Sequence, residues 1–375
     1  MRTIDVTYLV STLGRTGPTN QLFNLISRLD LSRFTPRIVT ISREPCDSRI
    51  RDFKDLGIPV VTLNCSRVGS LFRGSAHLSR VLDNTQPDIL HSQGLRADFL
   101  NLMSGQNCAQ ISTQRNDPFR DYPMLFGFLA GSIIARIHKT ILLKIPAIVS
   151  CSYSIEEANA LRGIPCSTIQ NGIETDNSFV VPHATKITRR VQLGLPQEKL
   201  LFICVAPLIH RKNIVNLIRT FGGVRDAQTR HLIVLGDGPL LTRARSLAAE
   251  FENITVIGHV ENVDEYLQAS DCLLSASRSE GLPNSVIEAL AWGLPVILSD
   301  IPAHREIHRI EPNAGNLFAL QDHRVLTQLI DDFERSEITT YAARSIATDS
   351  LNASVMANHY QDLYQSLAHA SIKHQ

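Results

Sequence analysis

Short apolar runs alternate with amphipathic stretches along the whole chain, the pattern of doubly wound α/β domains. In the first half the runs predict strands at 5–11, 37–41, 60–63, 89–91, 110–113 and 147–150. In the second half they predict strands at 200–205, 231–235, 254–257, 272–276 and 296–298. Each set suits one Rossmann-like domain. The polar stretch 177–197, with Pro182, Arg189 and Arg190, reads as a linker. Leu351, Val355, Met356, Tyr360, Leu363, Tyr364 and Leu367 recur at helical spacing and predict a closing helix. The expected division is therefore 1–185, 186–350 and a terminal helical element, 351–375.

A chain of 375 residues with 43% apolar and 19% charged residues can bury two sizeable cores. Its net charge of +1 gives no general case for nucleic acid binding. The two halves differ: residues 1–185 hold 19 Lys+Arg against 15 Asp+Glu, and residues 186–375 hold 18 against 21. A basic first half would favour an anionic acceptor or a membrane surface. Seven scattered cysteines (Cys46, Cys65, Cys108, Cys151, Cys166, Cys204, Cys272) form no Cys-x-x-Cys pair, which suits a reducing cytoplasm. The opening residues predict no cleaved leader, and no apolar run reaches the length of a spanning helix.

The most specific stretch runs from Ser277 to Leu298. A strand ends at Glu280-Gly281-Leu282-Pro283, a helix begins that Asn284 or Ser285 can cap, and Glu288 follows within it. Gly293-Leu294-Pro295 then stops the helix before the next strand. Such a turn offers backbone N–H groups to an anion, and two carboxylates can accept from sugar hydroxyls. Together these features suggest a sugar nucleotide. The segment resembles the Glu-x7-Glu motif of retaining glycosyltransferases of family 4. That resemblance implies the GT-B fold: two Rossmann-like doubly wound α/β domains facing across a cleft, with a C-terminal helix crossing back to the N-terminal domain. It also implies that Glu280 faces the donor sugar and that Glu288 accepts from the ribose. The backbone of Gly281, Leu282, Pro283, Asn284 and Ser285 would meet the diphosphate.

Upstream, Pro207-Leu208-Ile209-His210-Arg211-Lys212-Asn213 resembles the family segment whose Arg and Lys neutralise the leaving diphosphate. Lys212 matches the Lys. Pro207 stands in place of the Arg, and Arg211 is the candidate replacement cation. Gly236-Asp237-Gly238-Pro239 is not a dinucleotide fingerprint, because Leu241 holds the last glycine position. It reads as a tight turn, which the resemblance puts beside the donor.

In the first half, Gly17 in the loop after the first strand lets the backbone approach a ligand. The resemblance puts that loop beside the donor phosphate and the acceptor, with Arg15 close by. His91 lies in a segment similar to the family's Pro-Asp-Ile-x-His-x-His-Gly, though Gln93 replaces its second His. Arg115 stands near the position of a family His. It cannot act as a base, but it can hold an anionic acceptor or the leaving phosphate. Asn171-Gly172-Ile173-Glu174 reads as a tight turn or a substrate contact. The stretch 125–145 is apolar and cationic; it reads as a core helix or as a helix lying on a membrane surface.

No Asp-x-Asp, His-Glu-x-x-His, Walker loop or Gly-x-Ser-x-Gly occurs. The expected protein is a retaining glycosyltransferase that needs no metal or other cofactor, with Glu280, Lys212 and Arg115 as catalytic residues. Its donor would be a nucleotide sugar, a UDP-sugar by preference. Its acceptor would be a glycan or lipid-linked sugar, bound by Arg15, His91 and Arg115, in surface polysaccharide biosynthesis. It would be cytoplasmic, with peripheral contact at the inner face of the plasma membrane. Pro207 and Arg115 also motivate a second class, a sugar-nucleotide-binding partner without transferase activity. A GT-B epimerase is a third.

Overall fold

Each predicted apolar run becomes a strand of one of two parallel sheets. The computed structural model describes residues 2–66 and 74–372. It divides into two units, Met1–Gly172 with Ala353–Gln375, and Ile173–Asn352.

The first unit contains β1 (Ile4–Val10), β2 (Phe34–Thr40), β3 (Val60–Thr62), β4 (Ile89–Gln93), β5 (Ala109–Gln114), β6 (Ala147–Ser150) and β7 (Ser167–Thr168). They pair in the order β3-β2-β1-β4-β5-β6-β7. The chain winds outward from β1 to β3, then returns to the other side of β1 with β4. The β1–β4 border is therefore the switch point, where loops leave in opposite directions and open a crevice. The second unit repeats this logic with β8 (Leu200–Val205), β9 (Arg230–Leu235), β10 (Ile254–Gly258), β11 (Cys272–Ser275), β12 (Val296–Ser299) and β13 (Gly315–Phe318). Their order is β10-β9-β8-β11-β12-β13, with the switch between β8 and β11.

Two strands exceed the expectation. β7 is only Ser-Thr, too short and polar to show periodicity. β13 pairs along β12 because Gly315 lets the backbones close: a Cβ there would meet the Val296 carbonyl at 1.9 Å.

The expected linker 177–197 is largely the helix His183–Leu193, closed by Gly194 in the left-handed conformation (φ 66°). The boundary expected at 185/186 falls inside this helix. Arg190 gives the physical reason. It is fully buried, and its guanidinium donates to the carbonyls of Ala269, Gln197 and Lys199 and, at 2.7 Å, to Asp271 Oδ2. Asp271 also accepts from Arg335 and from the Leu201 backbone N–H. Burial would push the Asp271 carboxyl up, but these hydrogen bonds and the charges of Lys186 and Arg190 bring it down to about 2. A long charged side chain thus fixes a helix that polar composition alone suggests is a tether.

The closing helix is Ala353–Ile372 and belongs to the first unit; residues 373–375 of the expected terminal element lie outside the described residues. Met356, Ala357, Tyr360 and Tyr364 join the core formed by β1, β4 and the helix Gly17–Ser27. The stretch 125–145 departs from the core-helix reading. It takes in the end of the helix Pro118–Phe126 and all of Phe128–Leu142; Leu125, Phe126, Phe128, Leu129, Ile133 and Ile137 are exposed, while Gly131, Ala135, His138, Ile141 and Leu142 are buried.

The Asp271 cluster predicts acid sensitivity. A carboxylate held below its ordinary value stabilises the fold above that value and loses this contribution as pH falls toward about 2. Arg190→Ala, which strands the buried carboxylate, is expected to cost the second unit about 3–5 kcal/mol. Denaturant unfolding followed by the fluorescence of Trp292, the one tryptophan of the chain, reads this out.

Candidate functional site

The loops leaving β8 and β11 meet at the switch point of the second sheet, and they carry the charged residues. After β8 the chain makes a single 3-10 turn, His210–Lys212, and Asn213 adopts φ 56° before the helix Ile214–Gly222. That helix buries Ile214, Leu217, Ile218 and Phe221 along one stripe, which fixes the turn against the sheet. Lys212 is thereby 8% exposed, and its Nζ donates to Glu280 Oε1. Arg211 Nη1 donates to Glu280 Oε2 at 3.2 Å and to the Ser279 carbonyl at 2.8 Å. The Arg278 backbone N–H donates back to the Arg211 carbonyl at 2.8 Å, stitching the two loops together.

Burial would raise the Glu280 carboxyl. The charges of Lys212 and Arg211, with hydrogen bonds from Lys212 and Ser277, instead bring it down to about 2. Glu280 is therefore a carboxylate, and two cations share it. The cluster sits in a place where water screens charge poorly. Pro207 is exposed and uncharged, and Arg211, four residues further on, is the residue that reaches Glu280.

The Glu280 loop rests on residues that the sequence analysis left without a role. Ser299 Oγ donates to the Ser277 carbonyl at 2.6 Å, and His304 Nδ1 donates to the Ser299 carbonyl at 2.7 Å. His304 is fully buried, which lowers its pKa to about 4 and keeps the ring neutral. Its Nε2 has no hydrogen-bond partner among the described residues. Nothing in the composition of the segment around His304 marks a buried imidazole.

Gly281, Leu282 and Pro283 lead into the helix Asn284–Ala291. The expected cap is not present. Pro283 occupies the capping position without a side-chain cap of its own, and Asn284 and Ser285 are the first helical residues. One turn further in, Glu288 lies beside buried Ile287 and Ala289 but is itself half-buried. No hydrogen bond or ion pair to a described residue holds its carboxylate. Burial, then the nearby charge of Asp264, pushes it up to about 7.

Gly236 and Gly238 have φ of 130° and 151°, a region that favours glycine. A Cβ on Gly236 would meet the Ala206 carbonyl at 1.9 Å, and one on Gly238 the Leu208 carbonyl at 2.7 Å. The Leu208 N–H donates to the Asp237 carbonyl at 2.8 Å, and the Leu240 N–H to the Leu208 carbonyl at 3.0 Å. The Gly-Asp-Gly-Pro turn is thus a brace for the loop that presents Arg211 and Lys212.

In the first unit, Gly17 begins the helix Gly17–Ser27 directly after the β1 loop, and Arg15 in that loop is exposed. Arg115 follows β5. Its Nη1 donates to Asn171 Oδ1 at 2.6 Å and its Nε to Gln93 Oε1 at 3.3 Å, while Nη2 is buried with no partner among the described residues. These groups share the carboxyl edge of the first sheet. His91 does not join them at the surface. It is fully buried, with Nδ1 bonded to Tyr364 Oη at 2.8 Å and Nε2 to Thr113 Oγ1 at 2.7 Å. Burial and the Arg115 charge lower its pKa to about 3, so it is a neutral link between the closing helix and the sheet. The expectation that His91 binds an acceptor is corrected by this burial. Gly172 is likewise clamped, its N–H by Gln21 Oε1 and its carbonyl by Asn24.

Two parallel-sheet Rossmann-like units, one with paired cations at its switch point, define the class: a glycosyltransferase fold of the GT-B type. Residues 185–348 match the family model described as glycosyl transferases group 1. WclY of Escherichia coli, an O-antigen biosynthesis glycosyltransferase, is 24% identical over 97% of this chain and 99% of its own length. TuaC of Bacillus subtilis, named as a teichuronic acid biosynthesis glycosyltransferase, is 36% identical, but the match spans only 39% of this chain and 36% of that protein. Among solved structures, Anabaena HepE in complex with UDP and glucose is similar in fold, with a TM-score of 0.81 and 15% identity over 97% of this chain and all of that one. Sucrose-phosphate synthase from Thermosynechococcus elongatus gives 0.79 and 18% identity over 98% of this chain and all of that one.

Two outcomes test the site without any ligand. The Glu288 carboxyl binds its proton more tightly in the folded state, so stability is greatest while it is protonated and declines as pH rises to about 7. Glu288→Gln should remove that decline and raise the unfolding midpoint above neutral pH. Gly236→Ala, clashing with backbone at a strained φ, should cost at least about 2 kcal/mol in the same unfolding assay.

Proposed function

We propose that the protein is a retaining family 4 glycosyltransferase that moves a hexosyl group from a UDP-sugar to a glycan or lipid-linked acceptor, without a metal, in surface polysaccharide synthesis on the cytoplasmic side. One observation carries the proposal: Lys212 and Arg211 converge on Glu280 at the β8–β11 switch point, beside the N-terminus of the helix that carries Glu288. Lys212, Arg211 and the backbone of Gly281 to Ser285 take the diphosphate. Glu288 takes the ribose hydroxyls. Glu280 orients the two cations and borders the donor sugar.

In the reaction the bond from the anomeric carbon to the diphosphate oxygen breaks, and a bond to an acceptor hydroxyl oxygen forms. The transition state is oxocarbenium-like, so stabilising the departing diphosphate dominates the barrier. Attack on the face from which the diphosphate leaves gives retention. The acceptor proton then passes to the departing phosphate oxygen, since Arg115 cannot serve as a base and His91 is enclosed. Within the first unit, Arg15 and Arg115 take the acceptor, and Gly17 lets the backbone of the β1 loop approach a ligand. The O-antigen and teichuronic acid names of WclY and TuaC, and the UDP in HepE, support the acceptor and nucleotide classes.

Exposed Pro207 and the lack of a base at Arg115 favour the second reading, a nucleotide-sugar-binding partner protein without transferase activity. Calorimetric titration with UDP, GDP and ADP in the absence of metal, followed by transfer assays, separates the two. UDP is expected to bind, with Glu288→Ala weakening it about 10–100-fold. Lys212→Ala is expected to lower kcat at least about 100-fold. Wild-type binding without transfer across a broad acceptor screen would select the partner reading, and unchanged transfer kinetics in both variants would refute the site.

A further inference from the structure

The helix Phe128–Leu142 turns an apolar face outward over its first three turns. Leu129, Ile133 and Ile137 recur every fourth residue and so share one face, and all three are exposed. Phe128 and Leu129 are each 77% exposed, and Phe126 extends the ridge from the preceding helix. The opposite face buries Gly131, Ala135 and His138, with Ile141 and Leu142 at the end of the helix. A Cβ on Gly131 would meet the Tyr122 carbonyl at 2.3 Å, so this helix and Pro118–Phe126 touch backbone to backbone.

The ridge stands on a fixed support. Buried His138 bonds through Nε2 to Asp98 Oδ2 at 2.8 Å and through Nδ1 to Tyr122 Oη at 2.9 Å. Asp98, on the helix Leu95–Met103, also accepts from Ser92 Oγ at 2.6 Å. An apolar surface held this firmly is not a frayed end, and contiguous patches of this kind mark interaction surfaces.

Charge identifies the partner. Between residues 118 and 146 the one acidic residue is Asp121, which is buried. Arg136, Lys139 and Lys144 flank the ridge, and no ion pair to a described residue holds any of them. An apolar ridge among unopposed cations matches an anionic lipid surface, into which apolar side chains insert while cations meet headgroups. A second copy of the chain fits less well, because a two-fold contact would set these cations against themselves. Among the described residues no helix is long and apolar enough to cross a membrane.

We propose that the face formed by Phe126, Phe128, Leu129, Ile133 and Ile137, with Arg136, Lys139 and Lys144, docks the protein onto an anionic bilayer surface. Docking needs no nucleotide, so its test is separate from that of the donor site. The experiment is flotation of the full chain with vesicles of phosphatidylcholine alone and of phosphatidylcholine mixed with phosphatidylglycerol. The protein should float with the anionic vesicles, and less so as salt rises. Leu129→Gln with Ile133→Gln should weaken partitioning about tenfold or more. Arg136→Gln, Lys139→Gln and Lys144→Gln together should weaken it to a similar extent on anionic vesicles only. Circular dichroism confirms that both variants are folded, and the charge variant tests the proposal even if the apolar one is not. Absence of wild-type flotation, or equal flotation by both folded variants, overturns the proposal. A dimer dispersed by the apolar variant, without flotation, also overturns it and makes the ridge a self-association surface.

Discussion

Two cations on one carboxylate is the arrangement from which the chemistry of the second unit follows. A half-buried charge must be compensated. Glu280 holds Lys212 and Arg211 together, one from each of its carboxylate oxygens. The remaining features of that edge serve to hold the cluster in place. The Arg278–Arg211 backbone bond joins the two loops, the glycine turn braces one of them from the side, and Ser277, Ser299 and neutral His304 support the other from below. Each of these supports is a backbone or neutral polar contact, so none of them cancels the charge they position.

Parallel topology explains why these groups are neighbours. In a parallel sheet every strand delivers its outgoing loop to the same edge, and at the switch point adjacent loops diverge and leave a crevice. Lys212 and Glu280 are 68 residues apart in sequence, yet they leave strands that lie side by side. The first unit repeats the arrangement. Arg115 leaves β5 and Gln93 ends β4, next to the β1 loop with Gly17.

The molecule also breaks the simple rule of polar outside and apolar inside in three places, each with a distinct consequence. Arg190 and Asp271 are buried because together they satisfy five backbone or side-chain partners and secure a helix that would otherwise be a tether. His91 is buried because Tyr364, Tyr8, Thr113 and Tyr360 form a closed polar network with it, joining the closing helix to the sheet. The ridge around Leu129 is apolar and exposed because small residues were needed on its inner face for backbone contact.

The sequence alone determined the two parallel-sheet units, the closing helix, and Glu280, Glu288 and Lys212 as the residues to watch. These are local properties: apolar runs, helical spacing, and a strand–loop–helix string whose turn chemistry is written in consecutive residues. The tertiary structure decided what depends on distant neighbours. It decided that Arg211 reaches Glu280 in place of the missing cation, that His91 faces Tyr364 rather than solvent, and that Pro283 rather than Asn284 or Ser285 starts the helix. It turned a polar linker into a helix around Arg190 and an apolar stretch into a surface. Composition reports how apolar a residue is; only packing determines which side of it is left for water. That is why β13, held by a glycine against Val296, and His304, held by Ser299, were not legible before the chain was folded.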